Sequence, residues 1–202
     1  MSQQPKVIPE ILWCGNHRGM RHGNGWAFPR AVEKLLISLT EGKSVLHPFG
    51  GIASWGVRMD IDPLVKPDVI ADAWMPPFAQ DSFDVVILDP PYQAINSQEK
   101  IALFRAAAWI AREWVIWFHT IWISPCVGLK LERSWLVRVG DQQYIRCLQI
   151  FRVPERKQAP GRLFTRGPAI KYNRWIRQPE GLPFPPFVST AEGAGMKARE
   201  KN

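Results

Sequence analysis

Residues 83–92 read Phe83-Asp84-Val85-Val86-Ile87-Leu88-Asp89-Pro90-Pro91-Tyr92. A short apolar run between turn-forming residues is typical of a buried central strand in a parallel sheet. Pro90 has no N–H to donate to a sheet ladder, so the strand must end before it. Ligands of open α/β sheets bind outside the carboxyl ends of the strands. We therefore expect the loop at 89–92 to belong to a binding site.

The side chains of this loop suit a planar amine. Asp89 can accept a hydrogen bond from an NH2 group, and the adjacent Pro90 carbonyl can accept a second one. The ring of Tyr92 can stack on the planar group that carries the amine. A simple strand-terminating turn is the alternative interpretation, since proline pairs in acidic turns are common.

Three short strands are predicted upstream, and each leads into polar or glycine-rich residues. They are 44–47, followed by Pro48-Phe49-Gly50-Gly51-Ile52-Ala53; 57–60, ending in Asp60 and followed by Asp62; and 69–71, followed by Asp72-Ala73-Trp74. A carboxylate at the end of such a strand can accept hydrogen bonds from both ribose hydroxyls. Asp62 precedes Pro63, which is more typical of a turn cap. Acids at three consecutive strand ends, followed by the proline loop, indicate one shared site.

The sequence Asp89-Pro90-Pro91-Tyr92 after a hydrophobic strand resembles motif IV of the class I S-adenosylmethionine-dependent amino-methyltransferases. That family modifies exocyclic nitrogens of adenine or cytosine and, in related branches, guanine N2 or protein glutamine. Residues 48–54 resemble its cofactor loop, 72–78 resemble its motif III, and 25–30 resemble its motif X. The resemblance spans about residues 25–153. It implies a Rossmann-like α/β fold, with a seven-stranded, mostly parallel sheet, a C-terminal antiparallel hairpin and helices on both faces.

The same resemblance implies roles for individual residues, with S-adenosyl-L-methionine as the cofactor. Asp60 would bind the ribose, Asp72 would bind the adenine amine, and Gly51 would let the backbone approach the methionine part closely. The catalytic candidates are Asp89, Pro90, Pro91 and Tyr92. The cofactor-binding candidates are Phe28, Pro29, His47, Pro48, Phe49, Gly50, Gly51, Asp60, Asp72 and Ala73.

Two positions depart from the family pattern. The family usually has an acid where this chain has His47, and a second glycine where it has Ala53. The first change removes a negative charge, and the second narrows the loop slightly. These departures keep open a different hypothesis, a non-catalytic nucleic-acid-binding protein that retains a methyltransferase-like core.

The remaining pattern completes the expected architecture. Helical spacing of apolar residues occurs in two segments, and β-rich runs occur in three. The predicted helices cover 31–39 and 98–112, and the predicted strands cover 114–118, 129–139 and 144–153. The 202 residues, 46% of them hydrophobic, suffice for one substantial α/β core. We expect a methyltransferase domain at 26–153, an N-terminal lid or extension at 1–25 and a basic C-terminal tail at 154–202.

Charge is concentrated in that tail. The chain has a net charge of +8, and residues 154–202 hold ten Lys or Arg and four Asp or Glu. Basic side chains interleaved with aromatic ones can contact phosphates and unstacked bases. For residues 190–202 we expect a solvated segment that does not contact nucleic acid. The nucleic-acid-binding candidates are Arg162, Arg166, Lys171, Arg174, Trp175 and Arg177.

Several other classes of protein are disfavoured. Three cysteines without a C-x-x-C pair predict neither a disulfide framework nor a metal site. No apolar run is long enough for a membrane span, and no charged-then-apolar leader is present. We therefore expect a cytoplasmic protein that does not bind membranes.

The resemblance implies methyl transfer to an exocyclic amine of a nucleobase. Adenine N6 in DNA is favoured, because in that family Asp at the first loop position is commoner for adenine than for cytosine. RNA adenine N6 or guanine N2 is an alternative target, and a protein glutamine or a small molecule is a third. Only residues 14–25 and 154–202 remain for recognition of the target sequence, so we expect that a protein partner contributes to sequence specificity. The sequence does not predict the oligomeric state.

Overall fold

A computed structural model describes residues 7–14, 21–22, 25–26, 28–91, 97–138, 140 and 145–155. Two α-helices lie within these ranges, α1 (Arg30–Leu39) and α2 (Ser97–Ile110), together with a short 3-10 turn at Pro63–Val65. The strands of the same ranges are β1 (Glu10–Trp13), β2 (Arg21–His22), β3 (Gly25–Trp26), β4 (Val45–His47), β5 (Val57–Asp60), β6 (Val69–Ile70), β7 (Phe83–Leu88), β8 (Ala111–His119), β9 (Lys130–Arg138) and β10 (Ile145–Arg152).

The main sheet has eight strands in the order β1-β9-β10-β8-β7-β4-β5-β6. Strands β4 to β8 are parallel to one another, whereas β10 is antiparallel to both β8 and β9. From β4 the chain moves outward to β5 and β6, and then returns to β7 on the other side of β4. The topological switch point therefore lies between β4 and β7, where ligands of open α/β sheets bind.

The seven predicted strands are all present, and the five parallel strands with an antiparallel hairpin confirm the Rossmann-like α/β prediction. Strand β1 was not predicted from the sequence; it pairs in parallel with β9 as an eighth strand of the main sheet. Two contacts fix it there. The Trp135 Nε1–H donates to Glu10 Oε2 at 3.2 Å, and the Cys14 N–H donates to the Arg138 carbonyl at 2.9 Å.

The two helices pack on opposite faces of the sheet. Successive side chains of a strand point to opposite faces, and β7 follows this rule with apolar residues on both sides. Val85 and Ile87 pack with Val32 and Leu36 of α1. On the other face, the cluster contains Val86, Leu88, Leu103 and Phe104. Both faces of the central strands are thus buried, as expected for parallel strands.

The amino ends of β4, β7 and β8 are tied together by Asp84. Its carboxylate accepts from the Ser44 N–H at 2.8 Å and from the Ser44 hydroxyl at 2.7 Å. The Arg112 guanidinium lies 2.9 Å away on β8. This network aligns the three strands at one edge, which sets how their carboxyl ends meet at the other.

Candidate active site

The loop after β4 lies tightly against the end of β5. The Gly50 N–H donates to the Met59 carbonyl at 3.0 Å. A Cβ atom on Gly50 would come within 2.6 Å of the Arg58 Cβ, so no larger residue fits without a shift. Gly51 has φ of 48°, in the left-handed region that glycine adopts readily. The glycine pair therefore lets the backbone turn close to the strand ends.

Asp60 links this loop to the end of β5. Its carboxylate accepts from the Asp62 N–H at 3.0 Å and also from the backbone of Gly51. Burial raises the pKa of the Asp60 carboxyl, although these N–H donors lower it in part. A carboxylate has about four acceptor sites, so further donors such as a ribose diol can bind it.

Asp72 follows β6 and organises its own turn. Its Oδ1 accepts from the Trp74 N–H at 2.9 Å, and its carbonyl accepts from the Met75 N–H at 3.0 Å. The Trp74 ring packs edge-on against Phe49, with centroids 5.7 Å apart. The loops after β4 and β6 are thereby brought into contact. Ala73 is buried beneath them.

Asp89 leaves the end of β7, directly across the switch point. Leu46 of β4 is paired with Val86 of β7, so continuing this register places Asp89 level with Phe49. Asp89 is half-buried, Pro90 is buried and Pro91 is exposed. Tyr92 lies outside the described residues. The structure thus brings Asp89 to the same edge as Gly51 and Asp60.

Phe28 and Pro29 come to this edge from the other side of β4. Pro29 is buried and precedes α1, and its carbonyl accepts from the Glu33 N–H at 2.9 Å. The Phe28 ring lies 6.1 Å from the His47 ring and 5.7 Å from the Phe118 ring. The segment before α1 therefore packs over the end of β4.

His47 is packed into the interior at the end of β4. Its ring lies edge-on to Trp55 at 4.5 Å, and a Cβ on Gly56, which has φ of +71°, would be 2.9 Å from its Cδ2. Burial lowers the pKa of His47 to about 4, partly offset by the Trp55 backbone. A neutral, buried ring thus stands where the family pattern has an acid. A direct contact between this side chain and a cofactor would require it to become exposed.

Sequence reasoning missed a second group of residues, beside β7 at the end of β8. His119 is buried, stacks on Trp117 at 4.9 Å, and accepts from the Ile121 N–H at its Nδ1 at 3.0 Å. Burial lowers the pKa of His119 to about 4, and the positive charges of Lys100 and Arg146 lower it further. No motif marks this group, because its members come from α2, β8 and β10.

The predicted nucleic-acid contacts at Arg162, Arg166, Lys171, Arg174, Trp175 and Arg177 lie outside the described residues. Within the part of the chain that the structure describes, no group of three or more His, Cys, Asp or Glu side chains could hold a metal ion. Cys14, Cys126 and Cys147 are free thiols. None of the described helices is both long and apolar enough to cross a bilayer.

No family model matches the sequence, and no curated protein matches it. Solved structures with a similar backbone include the PH0226 protein from Pyrococcus horikoshii, which is 14% identical, with a TM-score of 0.48 over 61% of this chain and 88% of that one. N-methyltransferase NodS from Bradyrhizobium japonicum is 11% identical, with a TM-score of 0.48 over 62% and 96%. TrmN from Thermus thermophilus is 18% identical, with a TM-score of 0.41 over 60% and 48%. Likeness at this level concerns the backbone and assigns no function.

Proposed function

We propose that this protein is an S-adenosylmethionine-dependent methyltransferase that acts on an exocyclic amine of a nucleobase, with adenine N6 in DNA as the favoured target. One observation carries the proposal. The Asp60 carboxylate accepts from the backbone of Gly51 beside the switch point, and Asp89 follows the strand on the other side of it. A ribose acceptor, a close-approach backbone and an amine acceptor thus share one sheet edge.

The described residues fit the proposed cofactor in three places. Asp60 would accept from the ribose hydroxyls, and its partial burial strengthens such bonds. The backbone at Gly50 and Gly51 would pass close to the methionine part, since no side chain stands in the way. The turn at Asp72, with Trp74 against Phe49, would border the adenine.

S-adenosylmethionine supplies an electrophilic sulfonium methyl group when it is bound. Asp89 and the Pro90 carbonyl would hold the two hydrogens of the amine and aim its nitrogen at that methyl. Positive charge develops on the nitrogen as the bond forms, and the Asp89 carboxylate would stabilise it before a proton leaves to solvent. Orientation of this kind contributes up to roughly 7–11 kcal/mol in well-aligned systems.

A paired base hides its exocyclic amine inside the duplex. The target would have to be flipped out or supplied single-stranded, with Tyr92 replacing a stacking neighbour. The basic and aromatic side chains at 156–177 would hold phosphates and unstacked bases. A protein partner would then contribute sequence specificity.

Two features favour other functions. The loop at 89–92 suits an exocyclic amine in RNA, adenine N6 or guanine N2, as well as one in DNA. The neutral, buried His47 in place of an acid favours a non-catalytic binding protein with a methyltransferase-like core. Methyl transfer separates this last candidate from the enzyme.

The test is methyl transfer from labelled S-adenosylmethionine to duplex DNA, single-stranded DNA and total RNA, followed by identification of the modified nucleoside. Asp89→Asn should abolish most of the transfer, because the amide oxygen can still accept from the amine but carries no negative charge to stabilise the positive charge that develops on the nitrogen. Asp84→Asn is the matched control, since Asp84 lies at the amino end of the same strand. It should retain transfer and lose only stability.

N6-methyladenine in DNA that depends on Asp89 supports the proposal in full. Label in RNA would retain the chemistry and overturn the DNA target. Absence of label in every polymer, with the wild-type protein folded and the cofactor present, would contradict methyl transfer to a nucleobase.

A further inference from the structure

We propose that a groove between α2 and the loop at 120–129 binds the nucleotide next to the target base on the same unpaired strand, with Trp122 stacked on its base and Lys100 near its phosphate. This inference rests on the proposed function and names a second part of its substrate site.

The groove lies beside the catalytic candidate. Leu88 of β7 is paired with Trp117 of β8, so Asp89 and the loop after β8 emerge at the same edge. The groove has a volume of about 320 Å³, enough for one base, and its other wall is the start of α2. Its lining residues are Lys100, Ile101, Phe104, Trp122, Ile123, Ser124 and Cys126.

Buried side chains hold the groove loop in place. The Gln149 amide is fully buried and forms two hydrogen bonds of 2.9 Å with the backbone N–H and carbonyl of Ile123. The Ile121 carbonyl accepts from Trp117 Nε1 at 2.9 Å, and the Ile121 N–H donates to His119 at 3.0 Å. Both neighbours of Trp122 are therefore anchored.

Trp122 itself is turned outward, with 42% of its surface exposed. An aromatic ring on a fixed backbone loses little conformational freedom when a ligand binds it. Stacking on such a ring tolerates any base, because every base has an aromatic face. The geometry thus suits a flanking nucleotide that is bound without selection for the identity of its base.

The electrostatics at this edge favour a phosphate. Lys100 of α2 lines the groove, and its positive charge opposes protonation of His119. Arg105, also on α2, partly offsets the rise that burial causes in the pKa of Cys126. His119 stays neutral, since its Nδ1 accepts from the Ile121 N–H. Glu99, next to Lys100, is the nearest acid in sequence on this wall. Positive charge from Lys100 and Arg105 beside an exposed indole suits an aromatic anion better than an apolar partner.

The test compares Trp122→Ala with Trp13→Ala in the binding of a labelled single-stranded oligonucleotide, DNA in one arm and RNA in the other. Trp13 is 56% exposed on β1, three strands away from β8, and serves as the matched control. We expect Trp122→Ala to weaken binding about tenfold, Trp122→Phe to restore most of it, and Trp13→Ala to change it less than about twofold.

The Lys100→Gln variant tests the proposed contact between Lys100 and the phosphate, and Lys34→Gln on α1 is its control. The slope of log affinity against log salt should become shallower by about 0.7 for Lys100→Gln alone, the value for one lost phosphate contact on a single strand. Cys126 offers an independent readout, because it lines the groove whereas Cys14 and Cys147 are buried. The oligonucleotide should slow alkylation of Cys126.

Equal binding by the Trp122→Ala and Trp13→Ala variants, with Cys126 unprotected, would overturn the groove proposal even where methyl transfer is detected. Protection of Cys126 and loss of binding in Trp122→Ala, without transfer to any polymer, would support the groove and overturn the proposed enzyme. Failure of the wild-type protein to bind either oligonucleotide would overturn the proposal that the groove binds a nucleotide.

Discussion

Asp60 and Gly51 lie nine positions apart in sequence and meet at the end of β5. There the Asp60 carboxylate contacts the backbone of Gly51, in the loop after β4. The chemistry of each residue could be predicted locally, from an acid or a glycine after a short strand. Their mutual contact could not, because it depends on how β4 and β5 pair. The requirement for glycine at position 50 likewise comes from Arg58, a neighbour that only the fold supplies.

The burial of the His47 and His119 rings could not be predicted from the sequence, for a related reason. A histidine near a strand end suggests a ligand or a catalytic base, whereas both of these rings are buried and neutral. Phe28 reaches the His47 ring from the segment before α1, and Trp55 reaches it from the loop before β5. Trp117 stacks on His119 from the same strand, two residues earlier.

These two histidines predict that the free energy of unfolding falls as the pH is lowered from about 6.5 towards 4. The pKa of each imidazole drops from 6.5 to about 4 on folding, so the unfolded chain binds more protons in that window. Their contribution is complete above 6.5 and is lost as the pH approaches 4. Urea unfolding at several pH values between about 7 and 5 measures this slope.

The comparison uses His47→Phe, which keeps a ring among Phe28 and Trp55 but cannot titrate. The free energy of unfolding of this variant should depend less steeply on pH than that of the wild type. The range from about pH 7 to 5 lies above the ordinary pKa values of Asp and Glu, so those groups contribute little to the difference. Identical slopes in the two proteins would show that His47 is equally basic in the folded and unfolded chain.

At the scale of elements, β7 and β4 could be predicted because each contains a short apolar run, 85–88 or 45–46, that is soon followed by turn residues. β1 could not, since its four residues, Glu-Ile-Leu-Trp, give no clear alternation and their partner β9 is more than a hundred residues away. Pairing between such distant segments depends on the sheet edge that β9 presents. The strand then buries Leu12 against the α1-side cluster and leaves Ile11 exposed.

This arrangement predicts different effects for two neighbouring substitutions. Leu12→Ala should lower the free energy of unfolding by about 1–2 kcal/mol, at or below the low end of the range for core leucines because Leu12 is only partly buried. Ile11→Ala, at a side chain that is 79% exposed, should change it by less than about 0.5 kcal/mol. Chemical denaturation of both variants checks the assignment, and equal losses would mean that β1 does not present these faces as described.

At the scale of the whole molecule, the mostly parallel sheet with its antiparallel hairpin was predicted from the resemblance, and with it the edge where the candidates meet. The groove beside β8 was not predictable, because its loop has no regular secondary structure and is held by Gln149 and Trp117 from other strands. The topology gathers both features at one edge, while Asp84 fixes the strands at the other.

The central claim is that this edge binds S-adenosylmethionine through Asp60, and calorimetric titration of the cofactor tests it without knowledge of the methyl acceptor. The comparison is between Asp60→Asn and Asp62→Asn, two equal changes two residues apart. Asp62 caps the 3-10 turn by accepting from the Leu64 N–H at 2.9 Å and has no proposed ligand role.

We expect the wild-type protein to bind the cofactor and Asp62→Asn to bind it within about twofold of the wild type. Asp60→Asn should bind at least about tenfold more weakly, because a buried charged acceptor for the ribose is lost. Absence of binding by the wild-type protein, or equal affinities for the two variants, would contradict the account.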